Sequence, residues 1–391
     1  MLARVQYALV VFGACYVVLV ALLTVPFFQK HAIFMHAVRW PLFANFDLTA
    51  KYNLPVHRTL NLRITTSDNI TLGAWLVFPT NALQKDDQPT VLLPKSTPTT
   101  SEVDLSISTR PTILYFHGNA ASRAVSFRVQ AYTSYTARFG ANVLVIDYRG
   151  YADSGGTPSE IGLGRDARAA WDYLIAHGAK PQDVLIVGQS LGTGVSAALA
   201  NELSQEGVQP KGVVLLAPFT SLDALLVDYN LFGFIPLLRP LDVIPFATTL
   251  ITKFVRHHFD TQSVLPNIKT PILIAHSRDD FDIPYFHSLA LFNKLLERHI
   301  PPLPPLPTSP VDISQADWDE YQSKLLARRV GQAQLVRKQK IDGFGEISTF
   351  DNSPGNAVVY VETLWGGHDR IGIQEGVMDL MARMFNLTYG C

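Results

Sequence analysis

Cysteine is nearly missing from this chain. Two occur in 391 residues, Cys15 inside an apolar run and Cys391 at the last position, so a disulfide framework is excluded as a source of stability. An excess of charge of either sign is missing too, since 32 Lys and Arg face 33 Asp and Glu. No global field draws the protein onto nucleic acid, and that class of partner is set aside. Apolar residues are not scarce. At 48% hydrophobic content and this length the chain can bury one large core, which excludes a disordered or fibrous protein.

What is present begins with a charge-free apolar run from Tyr7 to Phe28. As a helix rising about 1.5 Å per residue it would reach roughly 33 Å, enough to cross a bilayer core. It reads as a single-pass transmembrane anchor, with its flank covering residues 1–35. A cleaved signal peptide is the rival, but its apolar region is usually about 7–15 residues and ends in small side chains. This run ends in Pro26, Phe27 and Phe28. Arg4 on one side and Lys30 and Arg39 on the other leave the orientation open. Two acceptor triplets, Asn69-Ile70-Thr71 and Asn386-Leu387-Thr388, would serve N-glycosylation if the following domain faces a secretory lumen, although such triplets also arise by chance.

After the anchor, "RTLNLRITTSDNITLGAWLVF" reads as two strands joined at Ser67-Asp68-Asn69, a hairpin at a sheet edge. Pro79 to Pro111 reads as a long polar loop. "TILYFHG", "ANVLVIDYRG", "DVLIVG", "GVVLLAPF", "TPILIAHS" and "AVVYVE" then supply short β-branched runs, with a helix predicted over Glu160–His177 between two of them. Apolar strands alternating with helices describe a mostly parallel sheet buried on both faces, so the fold class is α/β and 36–391 form one domain.

In such a sheet, ligands bind beyond the carboxyl ends of the strands. "VLIVGQSLGTGVSAALA" places Ser190 at that edge, where a buried strand turns sharply into a helix and Gly188 and Gly192 remove side chains that would clash. A serine hydroxyl needs a base, and the base needs an orienting group. Of the eleven histidines, His368 is best placed, in the glycine-flanked "GGHDR" beyond the last strand. His117 is expected to pack and hydrogen-bond inside its own loop, His276 falls within the expected acid loop, and His257 and His258 look ordinary. "ILIAHSRDDFDIP" offers the acid. Asp280 is preferred, because Asp-x-x-Ile-Pro fits the spacing to the next helix, with Asp279 and Asp282 kept as alternatives. The oxyanion then calls for backbone N–H donors, assigned to Asn119 after the third strand and Leu191 after the nucleophile. Asp147, Arg149 and Asp153 read as loop braces. The mechanism calls for no metal and no cofactor.

The segments "YFHGNAASR", "VLVIDYRGYADSGGTPSE", "GQSLGTGVSAAL", "APFTSL", "HSRDDFDIP" and "GGHDR", in this order, resemble those of the membrane-anchored alpha/beta-hydrolase domain-containing protein twelve family. The likeness covers roughly 61–386. It implies an α/β-hydrolase fold, a serine lipase acting on monoacylglycerol or lysophospholipid such as lysophosphatidylserine, and a place in the endoplasmic reticulum. It also implies Ser190 as nucleophile, Asp280 as acid and His368 as base.

Two inserts depart from a minimal hydrolase. Residues 219–262 hold "LFGFIPLLRPLDVIPFATTLI", a cap that binds an acyl chain, dips into lipid, or simply covers the core. Residues 300–355 start with a proline-rich spacer, then a helix capped by Ser314 with Asp317 and ending in Arg337, Lys338 and Lys340, either a membrane-surface or lid element or an exposed helix packed at one end. The expected activity is ester hydrolysis through an acyl-serine, in a membrane-bound protein with a lipid substrate and a lumenal catalytic domain. A thioesterase acting on acylated proteins is the alternative within enzymes, and an inactive hydrolase scaffold the alternative outside them. Headgroup, chain length and oligomeric state are not written in these residues.

Overall fold

The computed structural model describes residues 2–80, 82, 98–231, 235–236, 238, 240–241, 246, 251–302 and 314–387. Most of the cap stretch Leu231–Ile251, the proline-rich spacer, Thr388 and Cys391 therefore lie outside the described residues.

The apolar N-terminal run is two helices. Helix α1 covers Leu2–Leu23 and α2 covers Pro26–Phe34. The sequence reading of one element through Phe28 is corrected by Pro26, which lacks the N–H needed to continue α1 and starts α2 at its first position. Within α1, Arg4–Leu23 is long and apolar enough to cross a membrane. Most of it stands clear of the domain, with Phe12 and Val17 exposed, and only its last turns pack, through Val20 against Leu238 and Leu241.

A ten-stranded sheet follows. Its strands are β1 (Thr59–Thr65), β2 (Thr71–Val77), β3 (Thr112–Phe116), β4 (Asn142–Ile146), β5 (Val184–Gln189), β6 (Gly212–Leu216), β7 (Ile272–Ser277), β8 (Arg337–Ile341), β9 (Gly345–Ser353) and β10 (Asn356–Thr363). The order across the sheet is β1-β2-β4-β3-β5-β6-β7-β10-β9-β8, with the block from β4 to β10 parallel and an antiparallel hairpin at each edge. Every residue of β3, β4, β5, β6 and β7 is buried, as both-face coverage demands. Two apolar clusters result, one on each face, with Leu114, Ile186 and Leu215 in one and Ile113, Leu185 and Val214 in the other.

The helices are α3 (Thr100–Thr109), α4 (Ser126–Phe139), α5 (Glu160–Ala176), α6 (Leu191–Gln205), α7 (Leu222–Asp228), α8 (Thr261–Val264), α9 (Phe286–Leu296), α10 (Gln315–Leu335), α11 (Gly367–Arg370) and α12 (Glu375–Met384). The polar stretch read as a loop thus contains α3, which starts with a reciprocal cap between Thr99 and Glu102. In the second insert, Ser314 caps α10 as expected, but the helix stops at Leu335. Arg337, Lys338 and Lys340 fall on β8, because Gly343 at φ 75° turns the chain into a hairpin with β9. Their charges then suit an exposed edge strand, which resists pairing with a second chain.

Chain direction across the sheet reverses at its centre. From β3 the chain moves outward to β4, then returns past β3 to β5 and continues to β6. The loops leaving β3 and β5 therefore part from each other and open a crevice at their carboxyl ends.

Candidate active site

Ser190 sits in that crevice, between β5 and α6, at φ 52° and ψ −122°. A non-glycine residue seldom adopts this backbone, and here the surroundings fix it. Its N–H donates to Leu216 O at 3.0 Å, and its carbonyl accepts from Thr193 N–H at 2.8 Å and Thr193 Oγ1 at 2.6 Å. The flanking glycines are required by space. A Cβ on Gly188 would lie 2.3 Å from Gly192 O, and one on Gly192 would lie 2.1 Å from Phe116 O.

The loop after β3 forms the opposite wall. Asn119 lines the cavity with Ser190, whereas Leu191 is buried and could present only its N–H at the start of α6. Neighbouring N–H groups are committed elsewhere, Ala120 to Phe34 O at 3.2 Å and Ala121 to Val38 O at 3.0 Å. Those of Asn119 and Leu191 have no protein acceptor among the described residues. Arg128, on α4, fixes the loop by donating to the carbonyls of Gly118, Asn119, Ala120 and Ser122 at 2.9–3.2 Å. With its carbonyls bound on that side, the loop can turn an N–H toward the serine.

Asp280 follows β7 and its carboxylate is fully buried. Oδ1 accepts from the N–H groups of Asp282 and Ile283, both at 2.9 Å. Oδ2 accepts from His368 Nδ1 at 2.8 Å and from His276 Nε2 at 3.1 Å. His276 Nε2 also meets the Ile283 carbonyl at 2.9 Å, so that nitrogen carries the proton. Burial opposes ionisation of Asp280, but the two imidazoles outweigh it and hold the carboxyl well below the usual carboxylate range. Asp279 is no mere loop acid. It accepts from the Ser277 hydroxyl and from Gly367 N–H at 2.8 Å, pinning the turn that carries the histidine.

His368 lies on α11 and lines the same cavity as Ser190, about 560 Å³ in volume. Gln189 Nε2 donates to its carbonyl at 3.2 Å, and Tyr115 holds Gln189 through a 2.8 Å bond to Oε1. Burial lowers the imidazole pKa, yet the Asp280 carboxylate, seconded by Asp282 and Asp369, raises it above its ordinary value. No hydrogen bond joins Ser190 Oγ to His368, a contact that in unliganded enzymes often forms only when substrate binds. Asp280, Asp282 and His368 also offer ligand atoms within 4.8 Å of one another. The oxygens of Asp280 are occupied by four hydrogen bonds, which makes it a poor metal ligand.

The other candidates brace the scaffold. His117 is buried, with Nδ1 2.6 Å from Gly118 O and Nε2 3.2 Å from Asp147. Arg123 joins Asp147 to Asp153, and Arg149 joins Asp68 to Asp166 at 2.8 Å on each side. His258 pairs with Asp223 at 2.7 Å. Sequence reasoning missed Arg128, Gln189 and the part His276 plays. Only His276 left a signal, a polar ring directly after the apolar run "ILIA" and still inside the buried strand, where it must find a partner.

Residues 111–386 match the family described as alpha/beta hydrolase fold. Among curated proteins, the chain is 31% identical over 276 residues to the lysophosphatidylserine lipase ABHD12 of Rattus norvegicus, covering 68% of this chain and 64% of that protein. It is 30% identical over 283 residues to that of Danio rerio, covering 70% and 69%. The chain thus spans just under two thirds of the length of the rat, mouse and bovine lipases it matches. Among solved structures, an alpha-beta hydrolase from Vibrio vulnificus aligns over 92% of this chain and 94% of its own, with a TM-score of 0.54 at 16% identity, a likeness of fold alone.

Proposed function

The chain belongs to the alpha/beta hydrolase fold family, among the relatives of the ABHD12 lipases, and from that premise we propose that it is a membrane-anchored serine hydrolase cleaving acyl esters of monoacylglycerol or lysophospholipid. The observation that carries the reading is the shared cavity, lined by both Ser190 and His368, with Asp280 holding Nδ1 of that imidazole at 2.8 Å.

In the proposed reaction the Asp280 bond keeps the proton on His368 Nδ1, leaving Nε2 bare to take the proton of Ser190 Oγ. Oγ attacks the ester carbonyl, and the N–H groups of Asn119 and Leu191, with the N-terminus of α6, stabilise the oxyanion. His368 returns the proton to the leaving alcohol as the C–O bond breaks. Water then attacks the acyl-serine by the same route, releasing the fatty acid and restoring Ser190.

Helix α1 supports anchoring, since a bilayer-spanning length of it offers apolar side chains that, apart from its last turns, the described residues leave uncovered. A lumenal domain in the endoplasmic reticulum is favoured by Asn69, exposed at the β1–β2 turn, and by Asn386, exposed after α12. The test is fatty-acid release from vesicles containing monoacylglycerol or lysophosphatidylserine by the full-length protein. Release that disappears in Ser190→Ala supports the reading; equal release by wild type and variant overturns it.

A further inference from the structure

A second cavity, of about 240 Å³, adjoins the catalytic one and shares Met35, Asn119, Leu225 and Tyr229 with it. Its remaining wall is aliphatic. Leu222, Leu226 and Val255 come from the segment after β6, and Leu19 and Leu23 come from the last turns of α1. Gln29 is the exception, and its amide is already engaged. It donates to Leu23 O and Phe254 O, both at 3.0 Å, and accepts from Arg256 N–H at 2.9 Å, so it ties the end of α1 to the cap rather than facing a ligand.

The two cavities are chemically unlike. Around Ser190 the larger one carries Arg128, Asp282, His368 and Asp369. Beyond Asn119, whose N–H is the proposed oxyanion donor, the engaged amide of Gln29 and the Met35 and Tyr229 side chains at the junction, the smaller one offers only aliphatic side chains. An ester carbonyl held at Asn119 would have its acyl side against the aliphatic cavity and its alcohol side against the charged groups. Resting on the proposed acyl-ester reaction, we infer that the aliphatic cavity is the acyl-chain site of this enzyme, and that the membrane helix forms one of its walls.

The consequence is a route for the lipid. Further up α1, Val10, Phe12, Val17 and Val18 are exposed apolar side chains suited to bilayer lipid, and the same helix ends at Leu19 and Leu23 inside the cavity wall. A chain sliding along α1 would pass from lipid to site over continuous apolar surface and would never be transferred into water. Position is held as well as chemistry. Asn119 Nδ2 donates to Ile33 O at 3.3 Å and Ala120 N–H to Phe34 O at 3.2 Å, so α2 straps the loop beside Ser190 to the membrane helix.

The test uses full-length Ser190→Ala protein in phosphatidylcholine vesicles with a monoacylglycerol carrying a diazirine near the end of a long acyl chain. Photolysis should place the label on the peptides holding Leu19–Leu23 and Leu222–Tyr229. Label confined to the outer face of α1 around Val10–Val18, or found near Phe127, would overturn the proposal. In a parallel arm, Leu19→Trp and Val255→Trp should lower the ratio of kcat/KM for an eighteen-carbon ester to that for a four-carbon ester at least tenfold, and an unchanged ratio would overturn it. Wild-type protein that labels at these peptides but hydrolyses neither ester refutes the catalytic reading and leaves the acyl site standing.

Discussion

Replacing Asp280 by asparagine probes the logic that sets the proton on His368. The amide offers one oxygen and one NH₂ where the carboxylate offers two acceptors. The N–H groups of Asp282 and Ile283, both 2.9 Å from Oδ1, cannot become acceptors, so the amide oxygen must stay on their side. The NH₂ then faces His368 Nδ1 and His276 Nε2, at the position they share as donors. His368 escapes a donor–donor clash by moving its proton to Nε2, the nitrogen that in the proposed reaction receives the proton of Ser190. His276 has no such escape, because the Ile283 carbonyl at 2.9 Å keeps a proton on its Nε2. Loss of the reactive tautomer in a serine triad costs about 10⁴ in kcat, or about 5 kcal/mol of transition-state stabilisation. The unpaired buried donors should cost a further ~1–3 kcal/mol in stability, which lowers Tm without unfolding the sheet. The assay is turnover of a short-chain p-nitrophenyl ester by full-length protein, with thermal melts in parallel and Asp282→Asn as comparison. A loss of less than about tenfold in Asp280→Asn, or a larger loss in Asp282→Asn, would refute the reasoning.

The remaining predictions follow from the same geometry. Arg128→Met removes the donor that holds four loop carbonyls, so kcat should fall by about 10²–10³, as when one oxyanion donor is lost; activity close to wild type in a folded variant would mean the loop holds itself. With His368 as the proposed base its neutral form is the active one, and its pKa is raised, so kcat/KM should decline as pH falls through a value above the ordinary histidine pKa of about 6.5; a profile flat down to pH 5 contradicts a histidine base. Gly192→Ala would force a methyl to within 2.1 Å of Phe116 O and should yield protein that is inactive or fails to fold, which melting and labelling would reveal. If the domain is lumenal, N-glycosidase treatment should shift the mobility of cell-expressed protein, and replacing Asn69 and Asn386 by Gln should abolish the shift; sugar-free sites with a domain digested in intact microsomes would place it in the cytosol.

Much of the fold is legible in the sequence because a sheet covered on both faces leaves uninterrupted apolar runs, as at Ile113–Phe116 and Val184–Val187. The serine turn is legible for a related reason. At Gly188 and Gly192 a Cβ would run into main-chain oxygens, those of Gly192 and Phe116, and only glycine meets that demand. The proposed acid and base can be read from their places after β7 and β10, which lie side by side in the sheet. Arg128 leaves no such mark, since its partners are four main-chain carbonyls that no residue type identifies. Asp279 is equally silent, because its task is to hold Gly367 N–H across the site. The break at Pro26 and the cap at Thr99 and Glu102 were written in the chain, yet they were overridden by the apparent continuity of one apolar run and the apparent monotony of one polar run.

The most direct measurement is covalent labelling of the full-length protein by a fluorophosphonate, mapped by mass spectrometry. A serine made nucleophilic by His368 attacks the phosphorus, displaces fluoride and keeps the phosphonyl group on Oγ. The account predicts one modified residue, Ser190, with labelling abolished in Ser190→Ala and slowed by orders of magnitude in His368→Ala. Undiminished labelling of folded Ser190→Ala, or no labelling of folded wild-type protein, would contradict it.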